Sequence, residues 1–196
     1  MKRDEFNNFF EAYHNRFHEF KVLMEEGKSV LKEAIAKSGI KVHSIIGRIK
    51  DFDSCVKKVT DKKIENPFEG INDFVGLRVV CLFLSDLDKV EKVIERTFEI
   101  VERKDKINND RKDVFGYMGK HFIVKLKAKK ETNAMPFEIQ VRTIAQDAWD
   151  SVSHHLDYKT DSIRDEFKRD FYALSGLFYV ADTHFSFIQQ DKMRGN

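Results

Sequence analysis

The feature that most constrains this chain is a change of period at Thr143. Through Pro136-Phe137-Glu138-Ile139-Gln140-Val141-Arg142-Thr143 the apolar residues Phe137, Ile139 and Val141 alternate with Glu138, Gln140 and Arg142. That is the pattern of a strand with one apolar and one polar face. From Ile144 to Lys159 the apolar residues Ala145, Ala148, Trp149, Val152 and Leu156 recur at three- and four-residue steps instead, the spacing of one helix face. A strand carrying an acid, an amide and a base on a single face therefore runs straight into an amphipathic helix. Structural strands more often fill a polar face with Thr, Ser or scattered Lys, so this stretch marks the centre of a site.

The other elements follow from pattern and punctuation. Apolar positions at helical spacing predict one or two helices between Asp4 and Lys37, with Gly27 as the break. Lys41 to Lys50 reads as a strand leading into a helix from about Asp53 to Lys62, and Pro67 and Gly70 mark a loop. Leu77 to Leu84 is a continuous β-prone run, as in a strand buried mid-sheet. Ser85 is placed to cap a helix through Val90, Val93, Ile94 and Phe98. Strands follow near 100–106 and 121–128, separated by a long polar loop. A last helix carries Phe167, Phe171, Leu174, Leu177, Phe178, Ala181, Phe185 and Ile188. The sum is an α+β fold, a mixed β-sheet of about four or five strands flanked by helices.

At 196 residues and 41% hydrophobic, the chain has the size and composition of one domain spanning 1–196 with a full core. The net charge of +2 gives no overall nucleic-acid signature, so any basic surface is local. No apolar segment reads as a signal peptide or membrane span. Cys55 and Cys81 have no metal-like spacing and fit a reducing cytoplasm.

Three groupings carry chemistry. Asp73, directly before the buried run, and Glu138 can share a divalent cation whose other ligands are phosphate oxygens; equally, Asp73 can cap a turn and Glu138 pair with a neighbouring base. Arg48, Lys50, Ser54, Lys57 and Lys58 crowd cations and a hydroxyl together, as a triphosphate requires and as a solvated helix face also allows. Lys104, Lys106, Arg111, Lys112 and Lys120 surround Phe115-Gly116-Tyr117, where Tyr117 can stack on a base or simply anchor the loop. His121, His154 and His155 do not make a metal set, since adjacent histidines point different ways on a helix. Neither a Walker-type nor a kinase-type phosphate loop is present.

Taken in order, "HSIIGRIKDFDSCVKK" (43–58), "DFVGLRVV" (73–80), "GYMGKH" (116–121), "EIQVRT" (138–143) and "WDSVSHHLDYK" (149–159) resemble the synthetase domain of RelA/SpoT proteins, above all the single-domain small alarmone synthetases. The resemblance covers residues 40–160. It implies a nucleotidyltransferase-like synthetase fold and transfer of the β,γ-diphosphate of ATP to the ribose 3′-hydroxyl of GDP or GTP, giving (p)ppGpp and AMP with Mg²⁺ as cofactor. Carried over by motif, Arg48 and Arg78 hold the adenine, and Lys50, Ser54 and Lys58 its phosphates. Asp73 ligates the metal. Glu138 assists the metal or takes the hydroxyl proton, with Gln140 beside it. Tyr117 stacks on the acceptor base, Lys112 and His121 lie near the acceptor phosphates, and Asp147 lies at the base edge.

The hydrolase part of larger family members has no counterpart here, so the chain should synthesise and not degrade. It departs from the family pattern at Met118 and Gly119, at Ser153, at Asp61 and in the 109–112 loop. Most of these positions concern the acceptor, which keeps open a toxic member that pyrophosphorylates the 3′ end of tRNA or an adenosine nucleotide. A catalytically inactive nucleotide-binding module is a further alternative. A homo-oligomer or an antitoxin is the partner the resemblance allows, and no membrane partner is expected.

Overall fold

The computed structural model describes residues 3–105, 119–127, 135–159 and 165–194. Five strands, β1 (Val42–Ile49), β2 (Val75–Cys81), β3 (Phe98–Asp105), β4 (Lys120–Leu126) and β5 (Phe137–Thr143), form one sheet in the order β1-β2-β5-β4-β3. Only β2 and β5 run parallel; the other pairs are antiparallel. The sheet is therefore mixed, as the patterning predicts.

Seven helices accompany the strands among the described residues: α1 (Arg3–Asn15), α2 (Phe17–Lys37), α3 (Phe52–Lys62), the single turn α4 (Pro67–Gly70), α5 (Leu84–Thr97), α6 (Ile144–Lys159) and α7 (Asp165–Arg194). On one sheet face Val75, Leu77 and Val79 of β2, Phe137, Ile139 and Val141 of β5, and Phe122 and Val124 of β4 are all buried. Helices α2 and α5 pack there. Phe20 of α2 stacks on Phe74 with ring centroids 5.1 Å apart, and Phe98 meets Phe137 edge-on at 5.7 Å. The many Phe residues thus build the core as interlocking rings.

The break between the first two helices falls at Arg16, not Gly27. Arg16 bonds Glu19 at 2.9 Å and lays its guanidinium 4.9 Å from the Phe68 ring centre, so the chain turns where a cation can anchor it. Gly27 serves close approach instead: a Cβ there would lie 3.1 Å from the Phe137 ring, and one on Gly47 of β1 would meet Met24 at 2.8 Å. These two glycines let α2 lie directly on the sheet.

Three smaller boundaries also move. Strand β2 begins at Val75 and ends at Cys81, and Leu84 already belongs to α5. Ser85 does not cap α5; Phe83 stands at that position without a side-chain cap, and Ser85 Oγ donates to Gln189 of α7 at 2.9 Å. Pro67 to Gly70 is a helical turn, which suits Pro in a first turn where no intrahelical N–H bond is needed.

Thr143 is a structural junction. Its hydroxyl accepts from the Gln146 N–H at 3.1 Å while Gln146 Oε1 accepts from the Thr143 N–H at 3.0 Å, the reciprocal capping box that starts a helix. The same hydroxyl donates to Asp182 of α7 at 2.6 Å. Helix α7 turns Ser175, Asp182 and Ser186 inward and packs Phe171 and Phe178 on Trp149. It leaves Leu174, Leu177, Phe185 and Ile188 exposed. Among the described residues no helix is long and apolar enough to cross a membrane.

Candidate active site

The opposite sheet face is polar, and its register sets the site. Arg48, Gly76, Glu138 and Ile123 stand in one row across four strands, and Ile46, Arg78, Gln140 and His121 in the next. Gly76 has no side chain between Arg48 and Glu138. A Cβ there would lie 3.7 Å from the Arg48 side chain, an ordinary contact, so Arg48 lies over the buried glycine.

At one end of this face Asp73 precedes β2. Its two oxygens accept from Lys50 Nζ at 3.2 Å and Lys58 Nζ at 2.7 Å. Lys50 follows β1, and Lys58 lies on α3, whose start is fixed by Asp51 accepting from the Ser54 N–H at 2.8 Å. Burial pushes the Asp73 carboxyl up, but the two ammonium groups outweigh it and hold the group below the usual carboxylate range. Lys50 and Lys58 are neighbours in the sequence, and the fold brings the distant Asp73 between them.

Glu138 is held differently. His121 Nδ1 lies 2.8 Å from its Oε1, and Gln140 Nε2 donates to its Oε2 at 2.5 Å. Burial opposes ionisation, yet the His121 and Gln140 contacts and the Arg48 charge prevail, and its pKa falls to about 2. The carboxylate is anionic, and both of its oxygens have fixed neighbours.

Next to Gln140 lies a charged square. Arg78 donates to Asp147 Oδ1 at 2.8 Å and stands 3.8 Å from Asp150. Arg142 donates to Asp150 and to Gln140 Oε1, the latter at 2.8 Å. The structure thus places Asp147 against Arg78. Asp150 is the member that sequence reading did not single out, and Arg142, read there only as the base on the polar strand face, is given no role of its own. The signal for Asp150 was available: Asp147 and Asp150 are one helical turn apart. Tyr117 and Lys112 lie outside the described residues.

Asp73 and Glu138 offer ionised oxygen donors, the chemistry a hard divalent cation takes when phosphates complete its shell. No cluster of three or more His, Cys, Asp or Glu suited to a metal occurs among the described residues, so a cation here would depend on ligand oxygens. Anionic carboxylates set among fixed lysines and arginines on one sheet face suit a protein that handles phosphoryl groups.

Residues 47–163, more than half of the chain, match the model of the region found in RelA/SpoT proteins, and the chain belongs to that family. It is 35% identical to the GTP pyrophosphokinase YwaC of Bacillus subtilis strain 168 over 124 residues, which cover 59% of this chain and 58% of YwaC. The GTP pyrophosphokinase YjbM of the same organism is 27% identical over 164 residues, 81% of this chain and 76% of YjbM. The crystal structure of small alarmone synthetase 1 from Bacillus subtilis bound to its product pppGpp matches with a TM-score of 0.79 at 25% identity, over 92% of this chain and 98% of that one.

Proposed function

We propose that this chain, as a single synthetase domain, transfers the β,γ-diphosphate of ATP to the ribose 3′-hydroxyl of GDP or GTP, releasing AMP and forming ppGpp or pppGpp. The observation that carries the reading is the pair of ionised carboxylates, Asp73 and Glu138, on a cation-lined sheet face. Kinship with proteins named GTP pyrophosphokinase supports the substrate pair.

The donor occupies the Asp73 corner. Lys50, Lys58 and the Ser54 hydroxyl bind its phosphates, and the planar guanidinium groups of Arg48 and Arg78 hold the adenine. A divalent cation, Mg²⁺ in this reading, would be held by Asp73 and Glu138 and would supply neutralisation of the diphosphoryl charge. Glu138 receives a hydrogen bond from the 3′-hydroxyl and aligns it on the β-phosphorus. As the new oxygen–phosphorus bond forms, the bond between the β-phosphorus and the oxygen bridging to the α-phosphate breaks, AMP leaves, and the hydroxyl proton passes to Glu138. With so low a pKa, Glu138 takes that proton late, when the attacking oxygen has already lost charge to phosphorus. Gln140 and His121 hold the carboxylate in place, and His121, Lys112 and Tyr117 serve the acceptor. The chain contains no hydrolytic counterpart and works in the cytoplasm as part of the same proposal, with the exposed stripe of α7 available to a second copy or an antitoxin.

Gly119, which precedes β4 where the family pattern carries Ser, favours a second reading in which the acceptor is an adenosine nucleotide or the 3′ end of tRNA. One screen separates them: ATP with GDP, GTP, AMP, ATP or total tRNA, followed by nucleotide chromatography. AMP and a guanosine 3′-diphosphate are the expected products. AMP formed only with tRNA or an adenosine nucleotide selects the second reading, and no AMP with any acceptor overturns both.

A further inference from the structure

Arg142 is only 3% exposed in the middle of the sheet, where a cation is costly unless opposite charge faces it. Both terminal nitrogens of its guanidinium are engaged. One terminal nitrogen donates to Asp150 Oδ2 and lies 3.7 Å from Asp147 Oδ1; the other donates to Gln140 Oε1 at 2.8 Å. The second bond decides which way the Gln140 amide faces. With its carbonyl committed to Arg142, the amide presents Nε2 to its other neighbour, and Nε2 donates to Glu138 Oε2 at 2.5 Å. A flipped amide would set donor against donor at Arg142 and carbonyl against carboxylate at Glu138. On its far side, the two carboxylates facing Arg142 are also the partners of Arg78.

We infer that Arg142 is a positioning residue for the transfer reaction: it fixes the Gln140 amide, and through it the Glu138 carboxylate, and ties both to Arg78 through the shared pair Asp147 and Asp150. The inference rests on the proposed function and extends it to residues that touch neither nucleotide. It also moves Asp147 from the acceptor base to the donor side, because its carboxylate is committed between Arg78 and Arg142.

The test is a double-mutant cycle read by steady-state AMP release, with Arg142→Lys, Gln140→Met and the double variant. Lysine keeps the positive charge beside Asp150 but lacks the planar fork that reaches Gln140 as well. In Arg142→Lys, kcat is expected to fall by about tenfold to a hundredfold, the usual cost of losing a group that orients a reactive one, while KM for ATP holds within about twofold because Arg78 keeps both carboxylates. The fluorescence of Trp149, the single tryptophan, reports whether α6 is still packed. In the Gln140→Met background the same lysine substitution is expected to change kcat no further, since the link it acts through is already cut. An unchanged kcat in Arg142→Lys, or an equal loss in both backgrounds, overturns the positioning role. Should Arg142→Lys fail to fold, Asp150→Asn replaces it in the cycle with the same expected non-additivity; its side chain is 23% exposed, so the substitution is mild. Absence of AMP from the unsubstituted protein defeats the proposed function and this role together, whereas AMP from it alongside an unaffected Arg142→Lys defeats this role alone.

Discussion

The two faces of the central sheet use the same strands in opposite ways. On the α2 and α5 side the inward residues of β2 and, up to Val141, of β5 are apolar and the contacts are interlocking rings. On the other side the same strands carry Arg78, Glu138, Gln140 and Arg142, and the contacts are directed hydrogen bonds between charged groups. Apolar burial is non-directional and supplies most folding free energy; a buried ion-pair network contributes little net stability but fixes geometry. The comparison teaches that stability and chemistry are separated by the strand period of two. A substitution at one residue should therefore affect one property, and its neighbour the other.

The largest expected effect on the apolar side is Phe98→Ala. Phe98 is buried at the start of β3 against Phe137, and its loss should cost about 3–5 kcal/mol of unfolding free energy, measured by denaturant titration. Below the unfolding transition its kinetic constants should stay near those of the unsubstituted protein. A selective loss of kcat in the folded variant would break the separation.

Glu138→Gln is the mirror experiment. The isosteric amide removes the charge that aligns the 3′-hydroxyl, so kcat should fall by about 10²–10³, as for other preorganised polar groups, with ATP affinity and thermal midpoint little changed. Full activity would remove Glu138 from the reaction. Gly76→Val puts a branched side chain against Arg48, 3.7 Å from the position of a Cβ there, and is expected to raise the KM for ATP several-fold by displacing that guanidinium. Gly27→Ala, which sets a methyl group 3.1 Å from the Phe137 ring, should cost about 1–3 kcal/mol of stability by overpacking and leave the KM unchanged. Together the two glycines test whether close approach serves ligand on one face and packing on the other.

Much of this division is legible in the sequence. The alternation from Phe137 to Arg142 announces both faces, and the run from Val75 to Cys81 declares a central strand. What the sequence does not disclose is which distant residues share a corner. Asp73 and Lys58 are separated by a helical turn and a loop, and only the β1–β2 pairing and the Asp51 cap bring them together. Gly27 misleads because a mid-helix glycine reads as a break, whereas its reason for being there, Phe137, is 110 residues away in the chain. Ser85 misleads for the same reason: local pattern makes it a cap, and tertiary contact gives its hydroxyl to Gln189. The resemblance implies a place for Asp147 at the acceptor base edge, and its contacts with Arg78 and Arg142, which depend on how α6 leaves β5, are not visible in the motif.

The smallest effect lies where the two faces meet, at Thr143 and Asp182. Burial raises the Asp182 carboxyl above its ordinary value, and the hydrogen bond from the Thr143 hydroxyl only partly offsets that. A group whose pKa is higher in the folded chain binds protons more readily there than when unfolded, so stability rises as pH falls through the folded value and levels off below the unfolded one. At neutral pH the buried carboxylate is therefore a net cost. Asp182→Asn keeps an oxygen to accept from Thr143 and removes the charge, so its thermal midpoint should exceed that of the unsubstituted protein by a few degrees at neutral pH. The two should converge as the solution is acidified towards the ordinary carboxylate range. Parallel curves across that range would mean that the Asp182 pKa does not change on folding, and a wild-type advantage at neutral pH that is lost on acidification would mean that Asp182 is paired with a cation and that the junction between β5, α6 and α7 belongs with the ion-pair network of the polar face.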